Sequence, residues 1–479
     1  MIANSAWSLL AQGVTAVVGG LVGVYAVRSF TPAEWGHYAT ALALIALFMV
    51  LSSAGVGPQA LRAMTADRGR QGETLGVALQ ALAWASCIAA VVLIAVIPAL
   101  GYPQQVLVLV VVFAPLLLLD PVLATLTAAF NARSQLAFTA WYQLVQCFVS
   151  AGIAVAVIAG GQSIVGLAFA ALAADLCAIL VALALVRTKL RLSPRLGQPP
   201  RRAFSFLRTA LPIGGIGLVG IVYDRVDTLM LSVLSSATSV ARYNVPFGFV
   251  RLSWLVPSVI SAAFFPLLSR RISSEGPAVA APVFFLMVRV FLFLSVPISL
   301  ALAVSSPTLL PAVFGPSYAA SAPVLQILAW TSVFGFQNYL LWYGLLAVHR
   351  EKSVLKIQVL GLVVNVAVNA WAIPRYGPSG AAAALVASDL VVVMGQVVVL
   401  QRRLFSVPYR QILTKPLLAA AAAVPVAVVV AMWSPIGGAL LGAAAYVALL
   451  LVLGYITATE WKPITSRIAW PRLQLRRAG

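Results

Sequence analysis

The sequence predicts an all-α polytopic membrane protein of about 14 transmembrane helices, in two parallel six-helix bundles plus two C-terminal helices, with both termini cytoplasmic. Three observations predict it. Of 479 residues, 62% are hydrophobic and 9% charged, and the mean hydropathy is +1.02; soluble domains carry about 25% charged residues. Apolar runs of about 20 residues recur along the chain, the length that satisfies its own backbone hydrogen bonds across lipid. The connections between runs alternate between strongly basic and nearly uncharged, which orients the chain by the positive-inside rule.

The first span, near residues 5–27, has no basic leader and is too long for a cleaved signal, so it is expected to be retained. Spans near 36–60, 75–99 and 105–131 follow, the last with Asp120 just before Pro121, where a kink is expected to open space. The fifth, 136–159, opens on FTAWYQLVQ, and the sixth, 163–186, carries Asp175 in GLAFAALAADL. A basic connection, Arg187 to Arg208, includes the stiff SPRLGQPP. The seventh span, 207–234, contains VYDRVDTLML, with Asp224, Arg225 and Asp227 in an otherwise apolar run. Arg251 lies in the eighth, 242–267, and Arg289 in the ninth, 281–305. The tenth, 322–347, reads LQILAWTSVFGFQNYLLWYGLL and holds Gln337 and Asn338. The eleventh and twelfth, 354–373 and 379–400, include Asn365, Asn369 and GAAAALVASDL with Asp389. A last pair, 415–433 and 437–457, completes the set. The expected domains are an N-terminal bundle (1–190), a basic cytoplasmic linker (191–205), a second bundle (206–405), two further helices (406–459) and a basic tail (460–479).

The net charge of +20 is mostly orientation signal. One set of loops holds 25 of the 31 Lys and Arg residues, and the opposite set holds Arg28, Arg242 and Arg375. Charge spread over short loops forms no single nucleic-acid surface. The tail EWKPITSRIAWPRLQLRR mixes Trp461, Ile464, Trp470 and Leu473 with five basic residues. It either lies along anionic lipid or is a solvated positive-inside tail.

The halves echo each other. Asp175 and Asp389 each follow a Gly by nine residues, and GHYATALALI after the first span resembles ARYNVPFGFV after the seventh. Six spans per repeat make the repeats parallel, a transporter pattern with the substrate between halves. An ionisable side chain at mid-bilayer costs at least about 2.5–3.5 kcal/mol, so it faces a cavity or a partner. Asp224 and Asp227, three apart, share a helical face. They and Asp120 are candidates for ion coupling, provided water or a charged headgroup reaches them. The competing structural account pairs Asp224 with Arg225 and lets Asp227 snorkel. Gln337 and Asn338 beside aromatic faces suit sugar rings; alternatively they, with Gln326, Asn365 and Asn369, simply hydrogen-bond between helices. For Trp141, Tyr142, Trp342 and Tyr343, interfacial anchoring is the simpler account. GGLVG (Gly19–Gly23) and GALLG (Gly438–Gly442) read as small-residue packing motifs.

No phosphate loop, zinc spacing or nucleophile elbow is present, so neither an ATPase site nor a catalytic centre is expected. Cys87, Cys147 and Cys177 sit in apolar spans without metal-ligand spacing. No cofactor is expected beyond a coupling H⁺ or Na⁺.

The assembled segments resemble the polysaccharide or O-antigen flippases (Wzx-like) of the multidrug/oligosaccharidyl-lipid/polysaccharide exporter superfamily. The resemblance rests on RSFTPAEWGHYATALALI, SSAGVGPQALR, the seventh and eighth spans, FFPLLSR, VFGPSYAASAPVLQILA and VVNVAVNAWAIPRYGPSGAAAA, roughly residues 1–405. It implies an alternating-access carrier in the bacterial inner membrane. Such a carrier moves undecaprenyl-pyrophosphate-linked oligosaccharide to the periplasmic leaflet, alongside a polysaccharide polymerase or glycosyltransferase complex. Arg28 matches the family's first-helix arginine and Asp227 its intramembrane acid. Arg225, Arg251 and Arg289 are candidates for pyrophosphate contact, because an Arg fork holds phosphate oxygens bidentately. Where the family often carries an acid before GVG, this chain has Ser53 and Ala54. That departure shifts ion coupling toward Asp224 and Asp227. A lipid II flippase is the close alternative. A multidrug antiporter would want an acid in the first span, and a major-facilitator transporter a complete loop motif around ADRGR. A polymerase would need a large outer loop, and the sequence offers none.

Overall fold

The computed structural model describes residues 2–403 and 408–456, so the expected basic tail lies outside it. Among the described residues all regular structure is helical. Eleven helices are long and apolar enough to cross a membrane, or up to 13 if each of two bent pairs is one span. The bent pairs are Pro200–Pro212 with Gly217–Leu234, and Pro316–Leu328 with Thr331–Leu346. The expected spans 354–373 and 379–400 are two helices within Glu351–Arg403 that meet at a kink at the non-helical Gly377 (φ 54°, ψ −131°), between Pro374 and Pro378. Gly at positive φ with a proline on each side is where a chain can break.

The second span starts earlier than hydropathy suggests. Thr31 caps helix Pro32–Ser53: its side chain accepts from Glu34 N, and Glu34 accepts from Thr31 N at 2.9 Å. Glu34 therefore closes a capping box. The span then breaks at Ala54 and Gly55, both left-handed, before helix Val56–Ala66.

Helix Gln71–Val96 shows why lipid is the solvent. Leu75, Ala78, Leu82, Ala85, Ala89 and Leu93 are buried, while Trp84, Ile88, Val91 and Ile94 are exposed. Both faces are apolar, and the inner one is rich in alanine that lets helices approach closely.

Two compact units emerge: Met1–Val245 with Val313–Tyr318 and Asn365–Ala381, and Pro246–Ala312 with Ala319–Val364 and Ala382–Gly479. They group residues by proximity and leave the repeat-based boundaries at 190, 206 and 405 as a proposal. In the first unit, one core gathers Val56, Met64, Leu75, Leu126 and Phe130. In the second, Phe284, Phe291, Phe336 and Leu340 form a core, and Tyr446 and Leu450 pack near Ala423 and Ala427.

Glycines report where helices touch. A Cβ on Gly36 would overlap the Ala237 carbonyl, and one on Gly442 would overlap Ala427. GALLG thus packs as expected. GGLVG does not: Cβ atoms at Gly19, Gly20 and Gly23 would meet nothing within 4 Å. Tyr142 is likewise buried rather than interfacial, with its hydroxyl bonded to Thr127.

Candidate functional site: a sealed carboxylate in the first unit

Helix Pro200–Leu234 carries the charged triplet. Its first part turns through 67° before Gly217. Pro212 removes a backbone donor, and the glycines of LPIGGIG hold helix weakly. Beyond the bend, Asp227 is 2% exposed, between helix Ala237–Ser253 and helix Glu351–Arg403.

Its partners come from those two helices. Tyr243 Oη donates to Asp227 Oδ2 at 2.8 Å, and Asn369 Nδ2 donates to Oδ1 at 2.6 Å. The same Nδ2 lies 2.7 Å from Asn365 Oδ1. Asn365 and Asn369, one turn apart, are both fully buried, as is Tyr243. Next to them Thr228 Oγ1 donates to Asn244 Oδ1 at 3.1 Å. Asn369 Oδ1 is buried with no hydrogen-bond partner. The cluster therefore presents a carboxylate, an amide oxygen already engaged and an amide oxygen with spare capacity. Such oxygens suit a proton or a small hard cation.

The helical-face expectation needs correcting here. Asp224 pairs with its neighbour Arg225 at 3.3 Å, with side chains 39% and 28% exposed respectively. Residues three apart are offset by about 60° around a helix and by most of a turn along it. That offset places Asp224 on the half-exposed flank and Asp227 in the dry contact. The side chains of Asp224 and Arg225 thus reach the protein surface, whereas Asp227 is sealed among its partners and does not snorkel.

Elsewhere in this unit, Arg28 is exposed in the last turn of helix Ile2–Ser29. Asp120, half-buried in helix Leu116–Ala132, lies within hydrogen-bonding reach of the Asp175 carboxyl. Asp175 also accepts from Gln146 Nε2 at 2.6 Å.

The second unit holds the other candidates. Arg251 stacks on Phe247, 4.6 Å from the ring centre. Arg289 Nη1 donates to the Tyr455 carbonyl at 3.1 Å. Gln337 Nε2 reaches the Val288 carbonyl at 3.5 Å, and Asn338 Oδ1 accepts from Gln396 Nε2 at 2.7 Å. Each of these four has a local partner. Sequence reasoning placed Asn365 and Asn369 as interhelical bonds and passed over Tyr243. The available signal was an Asn pair at i, i+4 in VVNVAVNAW, set beside a buried-acid motif.

Among the described residues no group of three His, Cys, Asp or Glu side chains is arranged to hold a metal. A search of curated proteins finds no match to the sequence. Solved structures do match in fold. A structure described as "Lipid II flippase MurJ, inward closed conformation" superposes with a TM-score of 0.78 at 13% identity, covering 95% of this chain and 99% of that one. An inward-facing multidrug resistance MATE family transporter of the MOP superfamily gives 0.70 at 11% identity, covering 81% and 94%. A mutant of the Vibrio cholerae MATE transporter VcmN gives 0.56 at 12% identity, covering 84% and 99%. The chain therefore shares its fold with these transporters. Because a family model described as "Polysaccharide biosynthesis protein" matches residues 1–271, more than half the chain, the protein belongs to the polysaccharide biosynthesis protein family.

Proposed function

We propose that this protein carries an undecaprenyl-pyrophosphate-linked oligosaccharide from the cytoplasmic to the periplasmic leaflet of a bacterial inner membrane, by alternating access of two six-helix bundles. The observation that supports it most is the family match over residues 1–271 on a fold shared with a lipid II flippase. Both point to a large amphiphile with a polar glycan head.

The roles follow from chemistry. Arg225, half-exposed, offers a guanidinium fork for pyrophosphate oxygens, and Asp224 holds it in place until substrate competes. Arg28, Arg251 and Arg289 are further candidates for phosphate or acidic sugar, and Gln337 and Asn338 for sugar hydroxyls. Asp227 is the coupling group. Protonation, or exchange of the Asn369 donor for a Na⁺ held by Asp227 and Asn365 oxygens, rewrites the bonds joining three helices. That links an ion gradient to helix movement. Asp120 with Asp175 is a second place for a proton.

A lipid II substrate is the second reading, favoured by the MurJ-like fold. The two substrates share the undecaprenyl pyrophosphate and differ in the glycan. Proteoliposomes loaded with fluorescent lipid-linked oligosaccharide or lipid II separate them: the proposal expects faster flipping of the oligosaccharide under an imposed H⁺ or Na⁺ gradient. Equal or exclusive transport of lipid II would replace it.

A further inference from the structure

The connection from Thr188 to Pro200, expected as a linker, is a non-helical strap fixed to the end of helix Gln71–Val96. Arg195 N donates to the Gly72 carbonyl at 3.1 Å, and Gln198 N donates to Gln80 Oε1 at 3.0 Å. Arg133 Nη1 donates to the Leu190 carbonyl at 2.6 Å. Arg202 pairs with Glu73. A Cβ on Gly76 would overlap the Arg195 backbone, so only glycine admits the strap there. The side chains alternate. Leu190 and Leu192 are buried in the core beside Leu75 and Ala78, while Lys189, Arg191 and Arg195 point out.

The outer surface of the strap, together with the first turn of helix Pro200–Leu234 that follows it, combines two features. It is cationic without internal compensation, because no acidic residue occurs from Leu176 to Tyr223. It also exposes large apolar side chains among the cations, with Leu196 at 66% and Phe204 at 70%. Orientation by positive charge requires neither a fixed backbone nor exposed Leu and Phe. A surface that meets lipid headgroups requires both: cations at phosphate level and apolar side chains among the acyl chains.

We propose that the docked strap is a binding surface for anionic phospholipid. In this arrangement Lys189, Arg191, Arg195 and Arg201 hold headgroup phosphates while Leu196 and Phe204 enter the acyl region.

The test uses the full-length protein in detergent, titrated with phosphatidylglycerol or phosphatidylcholine, with bound lipid counted by native mass spectrometry. Wild type is expected to retain phosphatidylglycerol selectively. R191Q/R195Q/R201Q should weaken that affinity on the order of a hundred-fold. The control R62Q/R68Q/R350Q, which removes three exposed cations elsewhere, should leave it near wild type. L196S/F204S keeps every charge and should also weaken binding. Equal loss in the strap and control variants would mean diffuse charge and overturn the proposal, as would unchanged binding by L196S/F204S. Displacement of the lipid by millimolar inorganic phosphate would reassign the surface to a soluble anion.

Discussion

Replacing the Asp227 carboxylate by an amide changes hydrogen-bonding character while keeping size. In D227N, the Tyr243 hydroxyl still finds an oxygen, and a turn of the Asn369 amide offers its unpartnered Oδ1 to the new NH₂ group. Stability should therefore fall by no more than about 1 kcal/mol, within the range of one ordinary hydrogen bond. Gradient-driven transport should be abolished, because an amide takes up neither a proton nor the charge of a cation. Thermal unfolding beside proteoliposome flux checks both; wild-type flux would remove Asp227 from coupling. Y243F acts mainly on stability. It strips a donor from a buried carboxylate and should cost about 1.5–3 kcal/mol, read from the same unfolding curves. R225A should lower transport without loss of fold, since its side chain and that of its partner Asp224 are both partly exposed. The acid motif itself was legible in the sequence, since charges in an apolar run stand out. Its partners were not: Tyr243 is 16 residues away and Asn369 is 142, and no periodicity encodes which buried polar groups meet.

Helices in this chain are specified by length and apolarity, which is why the spans themselves were legible. What composition could not show is how they break and touch. The two expected spans within Glu351–Arg403 separate where Pro374 and Pro378 mark a boundary that the positive φ of Gly377 completes. The echo between GHY and ARY sets Tyr38 against Tyr243, 205 positions apart, and the same spacing sets helix end Ser29 against Leu234. It also sets Gly19, Gly20 and Val22 against Asp224, Arg225 and Asp227. Where one repeat carries an acid–base cluster, the other has glycines with open space beside them. That contrast supports Asp227, with no acid at the matching position 22, as the main coupling group. The two kinds of glycine also separate experimentally. G36A drives a methyl into the Ala237 carbonyl and should destabilise by about 1–3 kcal/mol. G20A meets nothing and gains helix propensity, so it should be neutral or stabilising by up to about 1 kcal/mol. Fluorescence-detected size exclusion after a heat series ranks them; equal melting of both would mean that the Gly36 contact is not tight in the membrane.

At the scale of the whole molecule, orientation is carried by charge rather than by any single contact. The loops that hold 25 of 31 cations are expected to face the cytoplasm, because moving them across a membrane with its inside negative is opposed both by potential and by the anionic leaflet. Ser193 lies on the exposed side of the strap, and Ser274 is exposed near the end of helix Leu255–Glu275. The two belong to different compact units, so they report orientation independently. Cysteine placed at either site, in a background lacking Cys87, Cys147 and Cys177, should react with a membrane-impermeant maleimide only after the membrane is opened. A cysteine replacing the exposed Tyr376, beside Gly377 and in the opposite loop set, should react in intact cells. Labelling of Ser193 or Ser274 positions from outside would invert the protein. The lipid-facing strap would then lie on the outer leaflet, and the proposed direction of glycan movement would lose its basis.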